Sequence, residues 1–323
     1  MKLIFTLTIL LFSITISAQK KIKILPKWKI NEKKTVYVNR VDSELKKGKL
    51  VSETSDFEYT FEIYKETKTH YFIKFNMGSV ANKSFVEFTE KMESSVSPFQ
   101  SLELKYKVEK STGEYSLINL KEVKDHALGS IVKIEDVIKE KSKEEGMESL
   151  AMLSFLLEPL KSVYETEESI NGYFLKEFEF IFEPFEVELE KSKVINVKDS
   201  ADNPFRPGQV VSGSKDYLLI EMDEKADTAL LQVDLNLDFS QFVEMMKGMM
   251  EKMIKGFTTD SLKLEEKLKE LNHFEMDMNN QKWITLDTKT NLPTKVIQKV
   301  KVYGNDPKSG RRETNYLIKI SIK

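Results

Sequence analysis

Apolar side chains at every second position are what most constrains the fold of this chain. Phe57, Tyr59, Phe61 and Ile63 alternate with Glu58, Thr60 and Glu62. Tyr71, Ile73, Phe75 and Met77 repeat the pattern, as do Leu102, Leu104, Tyr106 and Val108. It returns late in the chain in Leu231, Val233, Leu235 and Leu237, then in Phe274, Met276 and Met278. Val296, Gln298, Val300 and Val302, and finally Tyr316, Ile318, Ile320 and Ile322, complete the set. A strand turns successive side chains to opposite faces, so this period means sheets with one dry and one wet face. Buried parallel strands read apolar on both faces, so these sheets are expected to be antiparallel. Lys110-Ser111-Thr112-Gly113, Lys225-Ala226-Asp227 and residues 287–293 supply turns, and Asn279-Asn280 reads as a further tight turn. Leu218, Ile220 and Met222 suggest one face of another strand.

Two segments carry the helical period instead. Residues 120–164 start after Asn119 and place Met147, Leu150, Leu153, Leu157 and Leu160 on one face, with Phe155 beside them. Residues 240–256 carry a stripe of Phe242, Met246, Met249, Met250 and Met253. Residues 173–189 return to alternation, with Phe178, Phe180 and Phe182 against Glu177 and Glu179, and read as a strand bent at Pro184. The fold class is therefore α+β, antiparallel sheets packed against helices. Turn residues gather at 199–208, including Asn203-Pro204 and Pro207-Gly208. They divide the chain into a unit at 35–198 and a second at 199–323, either a loose duplication or a continuation of the first.

Residues 1–18 read as a signal peptide: Lys2, an apolar run, then Ser17-Ala18 before Gln19. The apolar run is short of the roughly 20 residues a membrane span needs, and no other segment qualifies. Export into the periplasm or beyond follows as an expectation, with a soluble product after cleavage. Residues 19–34 carry seven lysines and read as a basic, solvated arm. The chain has no cysteine, which excludes disulfides, thiolate nucleophiles and a lipid attached to cysteine. Lys plus Arg number 50 against 52 Asp plus Glu, without the basic excess of a nucleic-acid binder.

Catalytic and metal signatures are missing from the pattern. His70, His126 and His273 have no histidine partner at helical spacing. Asp234, Asn236 and Asp238 alternate with Leu235 and Leu237 and lack the glycine and distal glutamate of a calcium loop. No Gly-x-Ser-x-Gly elbow occurs, and Gly208 to Gly213 is followed by no Lys-Ser or Lys-Thr. No catalytic residue, metal ligand or cofactor is assigned. The methionine stripe is the most suggestive element, because flexible, polarisable side chains suit adaptable apolar surfaces. It serves either as core or as the lining of a ligand cavity.

The strand, Ser-Thr-Gly turn and return strand over 102–120, and the similar unit over 283–302, resemble the LolA-like half-barrel of bacterial lipoprotein and lipid carriers. The segment order is also similar to that of uncharacterised secreted proteins of the Bacteroidota. The resemblance implies a curved antiparallel sheet wrapped around helices, in one or two half-barrel units, with acyl chains held between sheet and helix. On that expectation the chain is a non-enzymatic exported protein that binds a lipid, another hydrophobic ligand or an envelope protein. Phe155, Phe242, Met246, Met249 and Met253 would line the site. A structural or surface-interaction protein with a filled core, and an exported hydrolase acting on glycans or lipids, are the alternatives.

Overall fold

The computed structural model describes residues 21–46, 49–76, 102–145, 164–183, 187–202, 210–238, 275–306 and 310–323, together with 161, 185 and scattered positions from 240 to 271. The first half contains β1 (Lys21–Lys23), β2 (Glu32–Lys46), β3 (Lys49–Glu66), β4 (His70–Asn76), β5 (Glu103–Glu109) and β6 (Tyr115–Leu117). Helices α1 (Leu120–Glu145) and α2 (Glu167–Phe182) follow. Then come β7 (Glu188–Glu190), β8 (Val194–Asp202), β9 (Val210–Asp223), β10 (Thr228–Leu237), β11 (Glu275–Asp287), β12 (Leu292–Asp306) and β13 (Gly310–Ile322).

Eleven of these strands form one sheet in the order β6-β5-β4-β3-β2-β13-β12-β11-β10-β9-β8. Its pairings are antiparallel throughout, as the alternation required. The sheet consists of two meanders, β2 to β6 and β8 to β13, sewn together where the last strand pairs with β2, from Thr314↔Glu44 to Ile322↔Val36. The two expected units thus share a single sheet. One directly paired row, Leu219, Leu231, Ile284, Val296, Ile320 and Val38, crosses that seam, and all six side chains are buried. Among the described residues β6 and β8 are the edges, and the sheet is not closed into a barrel. Residues 199–202, expected in a connection between halves, belong to β8, and 203–209 lie outside the described residues.

The connection between the meanders is helical, and here the sequence reading needs correcting. Residues 167–182 are α2, not a strand. Ile170, Phe174, Phe178, Ile181 and Phe182 are buried at helical spacing, whereas Phe180 is half-buried on another side. The alternating Phe-Glu run satisfied both periods at once. The deciding signal is at the start: the Thr166 hydroxyl accepts from the Ser169 backbone N–H at 3.1 Å, and Glu167 and Glu168 sit in the first turn. Thr166→Ala is expected to cost about 1 kcal/mol, read as a lower urea midpoint. At the other end Glu183, which precedes a proline in the sequence, is extended at φ −61°, ψ 133° and stops the helix.

The basic arm is not free. β1 pairs antiparallel with β7, and Ile24 and Trp28 are buried. The Trp28 ring lies 5.3 Å from Tyr71, 5.3 Å from Phe182 and 5.6 Å from Phe185, between the sheet and the end of α2. Asn119 precedes α1, but its side chain is spent on the sheet: its Oδ1 accepts from Lys105 N–H, and its Nδ2 donates to the Glu103 carbonyl and to Glu122. Asn279 and Asn280 are mid-strand in β11, not a turn, with Asn280 Oδ1 accepting from Gln298. In β9 an extra residue opposite Leu230/Leu231 changes the phase, so Tyr217 and Leu219 are buried where Leu218 and Ile220 were expected to share the face. The described positions of 240–255 are helical, as expected.

Candidate functional site

A cavity of about 810 Å³ opens where the two edges of the sheet meet α2. Tyr115 of edge strand β6 lies on one side, and Ile195 and Val197 of edge strand β8 on the other. α2 supplies Leu175 and Phe182, and the segment after it Phe185 and Val187. Lys21 of β1 and Glu188 of β7 stand at the rim, 3.4 Å apart. The wall thus mixes apolar side chains of the helix and β8 with charged groups.

The charged side is a connected cluster. Glu183 is central and buried. Its Oε1 meets Lys215 Nζ at 2.9 Å and accepts from Tyr217 Oη at 3.3 Å, and its Oε2 meets Lys282 Nζ at 2.5 Å. Lys215 also reaches Asp199 at 3.0 Å and Glu179 at 3.6 Å, and Tyr115 Oη donates to Glu179 at 2.8 Å. Tyr115, Glu179, Lys215 and Asp199 therefore run from one sheet edge, through the helix, to the other edge. Lys282 comes from β11, inside the sheet, where it pairs with Val233 and Gln298, and its ammonium lies 5.0 Å from the Phe180 ring.

Local sequence explains each position. Lys282 is in phase with Ile284 and Leu286, and Lys215 with Tyr217 and Leu219, so both point to the dry face. Glu179 and Glu183 are one helical turn apart and share a face. Burial alone would push the Glu183 carboxyl up, but Lys282 and Lys215 outweigh it and hold it at about 2. For Lys215, burial works downward, yet Glu183, Tyr217 and Glu179 leave it above its ordinary value. Burial, then the Glu183 charge, raises the Tyr217 phenol. Each of these three groups is locked in its ordinary neutral-pH form. That is the reverse of acid–base tuning, which brings a pKa toward the working pH. The cluster is suited to clamping and to meeting a polar group.

The expected lining residues Phe155, Phe242, Met246, Met249 and Met253 lie outside the described residues. None of the cluster residues was singled out by sequence, because they converge from β6, α2, β8, β9 and β11 with no local spacing. The available signal was a lysine in the apolar phase of a strand, at 215 and again at 282. His70 opens β4, where its Nδ1 lies 2.8 Å from Thr69 Oγ1, His126 is on α1, and His273 lies outside the described residues. Asp234 accepts from Gln232, Asn236 donates to Asp216 and Asp238 accepts from Ser240, each a contact of strand β10 or its end. Among the described residues no group of three or more His, Asp or Glu could hold a metal, and no helix is long and apolar enough to cross a membrane.

No family model and no curated protein matches the chain. The crystal structure of a DUF1329 family protein from Desulfovibrio piger aligns with 90% of this chain and 85% of its own at 8% identity, with a TM-score of 0.15. So low a score carries no argument about fold or function.

Proposed function

We propose that the chain is an exported binding protein for an amphiphile. The apolar part of the ligand lies against Leu175, Phe182, Phe185, Val187, Ile195 and Val197, and its polar part meets the Glu179–Lys215 end of the cluster. The observation that carries this reading is the cavity between the two free edges of one sheet, backed by α2. Its volume falls within the range of about 300–1,000 Å³ usual for small-molecule sites. Its walls combine apolar surface with a few fixed polar groups.

The same observation supports a half-barrel. Ten steps of about 4.8 Å would hold the edges of a flat sheet about 48 Å apart. Yet Tyr115 and Asp199, on the opposite edges, are joined through only Glu179 and Lys215. A sheet curled around α2 reconciles the two. The locked charge states of Glu183, Lys215 and Tyr217 favour binding over turnover at this cluster.

The test is uptake of a fluorescent fatty acid by the chain from Gln19 onward, beside native mass spectrometry of the protein as purified. Leu175→Trp and Ile195→Trp fill the cavity from opposite sides. Each is expected to lower probe affinity at least about tenfold while leaving cooperative unfolding intact. Uptake unchanged in both filled variants, or no uptake of the probe by the parent chain, would overturn the reading.

A further inference from the structure

Carboxylates outnumber ammonium groups around the cavity. Five glutamates line it against three lysines. Asp199 and Lys282, one of each sign, bond to that set and leave the excess at two. None of the lysines is free to receive an anion. Lys21 holds Glu188 at 3.4 Å, and Lys193 holds Glu190 at 3.1 Å. Lys215 is less exposed and is ringed by three carboxylates, one for each proton of its ammonium: Glu183 at 2.9 Å, Asp199 at 3.0 Å and Glu179 at 3.6 Å. Lys282 is buried on Glu183.

The acceptors are in the opposite condition. Glu179 Oε1 accepts from the Tyr115 hydroxyl at 2.8 Å. Among the described residues its Oε2 has only Lys215, at 3.6 Å, beyond hydrogen-bond reach. Glu114, next to Tyr115 in the lining, makes no ion pair among the described residues. A negative head group would have to displace a carboxylate from a lysine and then sit among the others. A positive head group with N–H donors satisfies Glu179 and offsets the excess. Juxtaposed like charges exclude a ligand more strongly than any single contact recruits one. Resting on the amphiphile reading of this cavity, we propose that its ligand carries an ammonium head. The head donates to Glu179 beside Tyr115, Glu114 supplies the outer countercharge, and the chain lies on Leu175, Phe182, Ile195 and Val197.

The experiment compares three fluorescent probes that share one labelled alkyl chain and end in a carboxylate, an alcohol or an ammonium, each titrated into the chain from Gln19 onward. The ammonium probe is expected to bind at least about tenfold more tightly than the carboxylate probe, with the alcohol between them. Glu179→Gln keeps an acceptor for Tyr115 and removes the charge, so it should narrow that gap at least about threefold. Added salt should narrow it in the parent as well, a reading that needs no variant to fold. Leu175→Trp should weaken all three probes together. A carboxylate probe that binds as tightly as the ammonium probe, with both weakened by Leu175→Trp, would overturn the head-group assignment and leave the cavity reading standing. So would a preference that Glu179→Gln leaves whole. Uptake of none of the three probes would overturn the cavity reading, and this proposal with it. An ammonium probe indifferent to Leu175→Trp would place its binding elsewhere on the surface and overturn the proposal.

Discussion

Glu183→Ala is expected to destabilise the fold by about 3–5 kcal/mol, the range for removing one partner of a buried ion pair. The loss comes less from the missing attraction than from what remains. Lys282, 8% exposed in the middle of the sheet, keeps its charge and its place between Val233 and Gln298 but loses its carboxylate. Lys215 is better off, because Asp199 and Glu179 stay within reach. Glu183→Gln should cost nearly as much, since the amide is isosteric but uncharged. Combining it with Lys282→Met should restore most of the stability, because an apolar side chain then replaces the stranded ammonium. Urea denaturation of the parent, Glu183→Gln, Lys282→Met and the double variant gives the coupling directly. A cost below about 1 kcal/mol for Glu183→Ala would sink the view of a desolvated clamp.

The same pair has a pH signature. The folded-state pKa of Glu183, about 2, lies below the roughly 4.3 of an unfolded glutamate. A depressed carboxyl contributes stability that is fully present above the unfolded value and lost as pH falls through the folded one. The midpoints of the parent and of Glu183→Gln should therefore differ most above about pH 5 and converge on approach to pH 2. Lys215, raised above its ordinary value, acts in the opposite sense: its contribution is present below the unfolded lysine pKa of about 10.4 and lost above it. A gap between parent and Glu183→Gln that stays constant down to pH 2 would mean that the carboxyl is not held ionised by the lysines.

What the sequence disclosed, and what it hid, follows from how far each signal reaches along the chain. Alternation located most strands because burial on one face acts residue by residue. Tyr59, Phe61 and Ile63, or Ile284 and Leu286, are dry for the same local reason that they alternate. Alternation failed where two periods coincide: Phe178 and Phe182 satisfy a strand and a helix equally, and only the cap at Thr166 separates them. It failed again at β9, where one inserted residue moves Leu218 and Ile220 out of phase with the core. The basic arm misled because lysine count reports solvent affinity, whereas Trp28 alone contributes enough apolar surface to fix the segment against Tyr71 and Phe182. The order of strands, and with it the pairing of β13 with β2, depends on contacts across most of the chain and left no local trace. The charged cluster converges from equally distant segments, and its one local trace is a lysine in the apolar phase of a strand at 215 and 282.

Phe178→Ala tests whether the aromatic core holds the cavity in shape or merely fills the space beside it. Phe178 is fully buried, with ring centroids 4.4 Å from Tyr115, 4.6 Å from Phe182, 5.0 Å from Tyr106 and 6.2 Å from Phe75. Its removal is expected to cost about 3–5 kcal/mol in urea denaturation, from lost transfer energy and a void ringed by stiff aromatics that collapse poorly. Ile320→Ala, in the buried row that crosses the seam, should cost about 2–5 kcal/mol and serves as the comparison. The two should part in what else they change. Phe178 lies one residue from Glu179, shares α2 with it, and stacks on the Tyr115 ring whose hydroxyl holds Glu179. Loosening that stack frees the helix from edge strand β6, so hydrogen exchange should quicken in α2 and β6 well before global unfolding. In Ile320→Ala it should quicken only in proportion to the global loss. Equal, proportionate exchange in both variants would mean that α2 is held from the second meander, by Lys215, Tyr217 and Lys282 acting on Glu179 and Glu183. The helix would then be a strut of the second meander, and the cavity could open at β6 without disturbing the charged cluster.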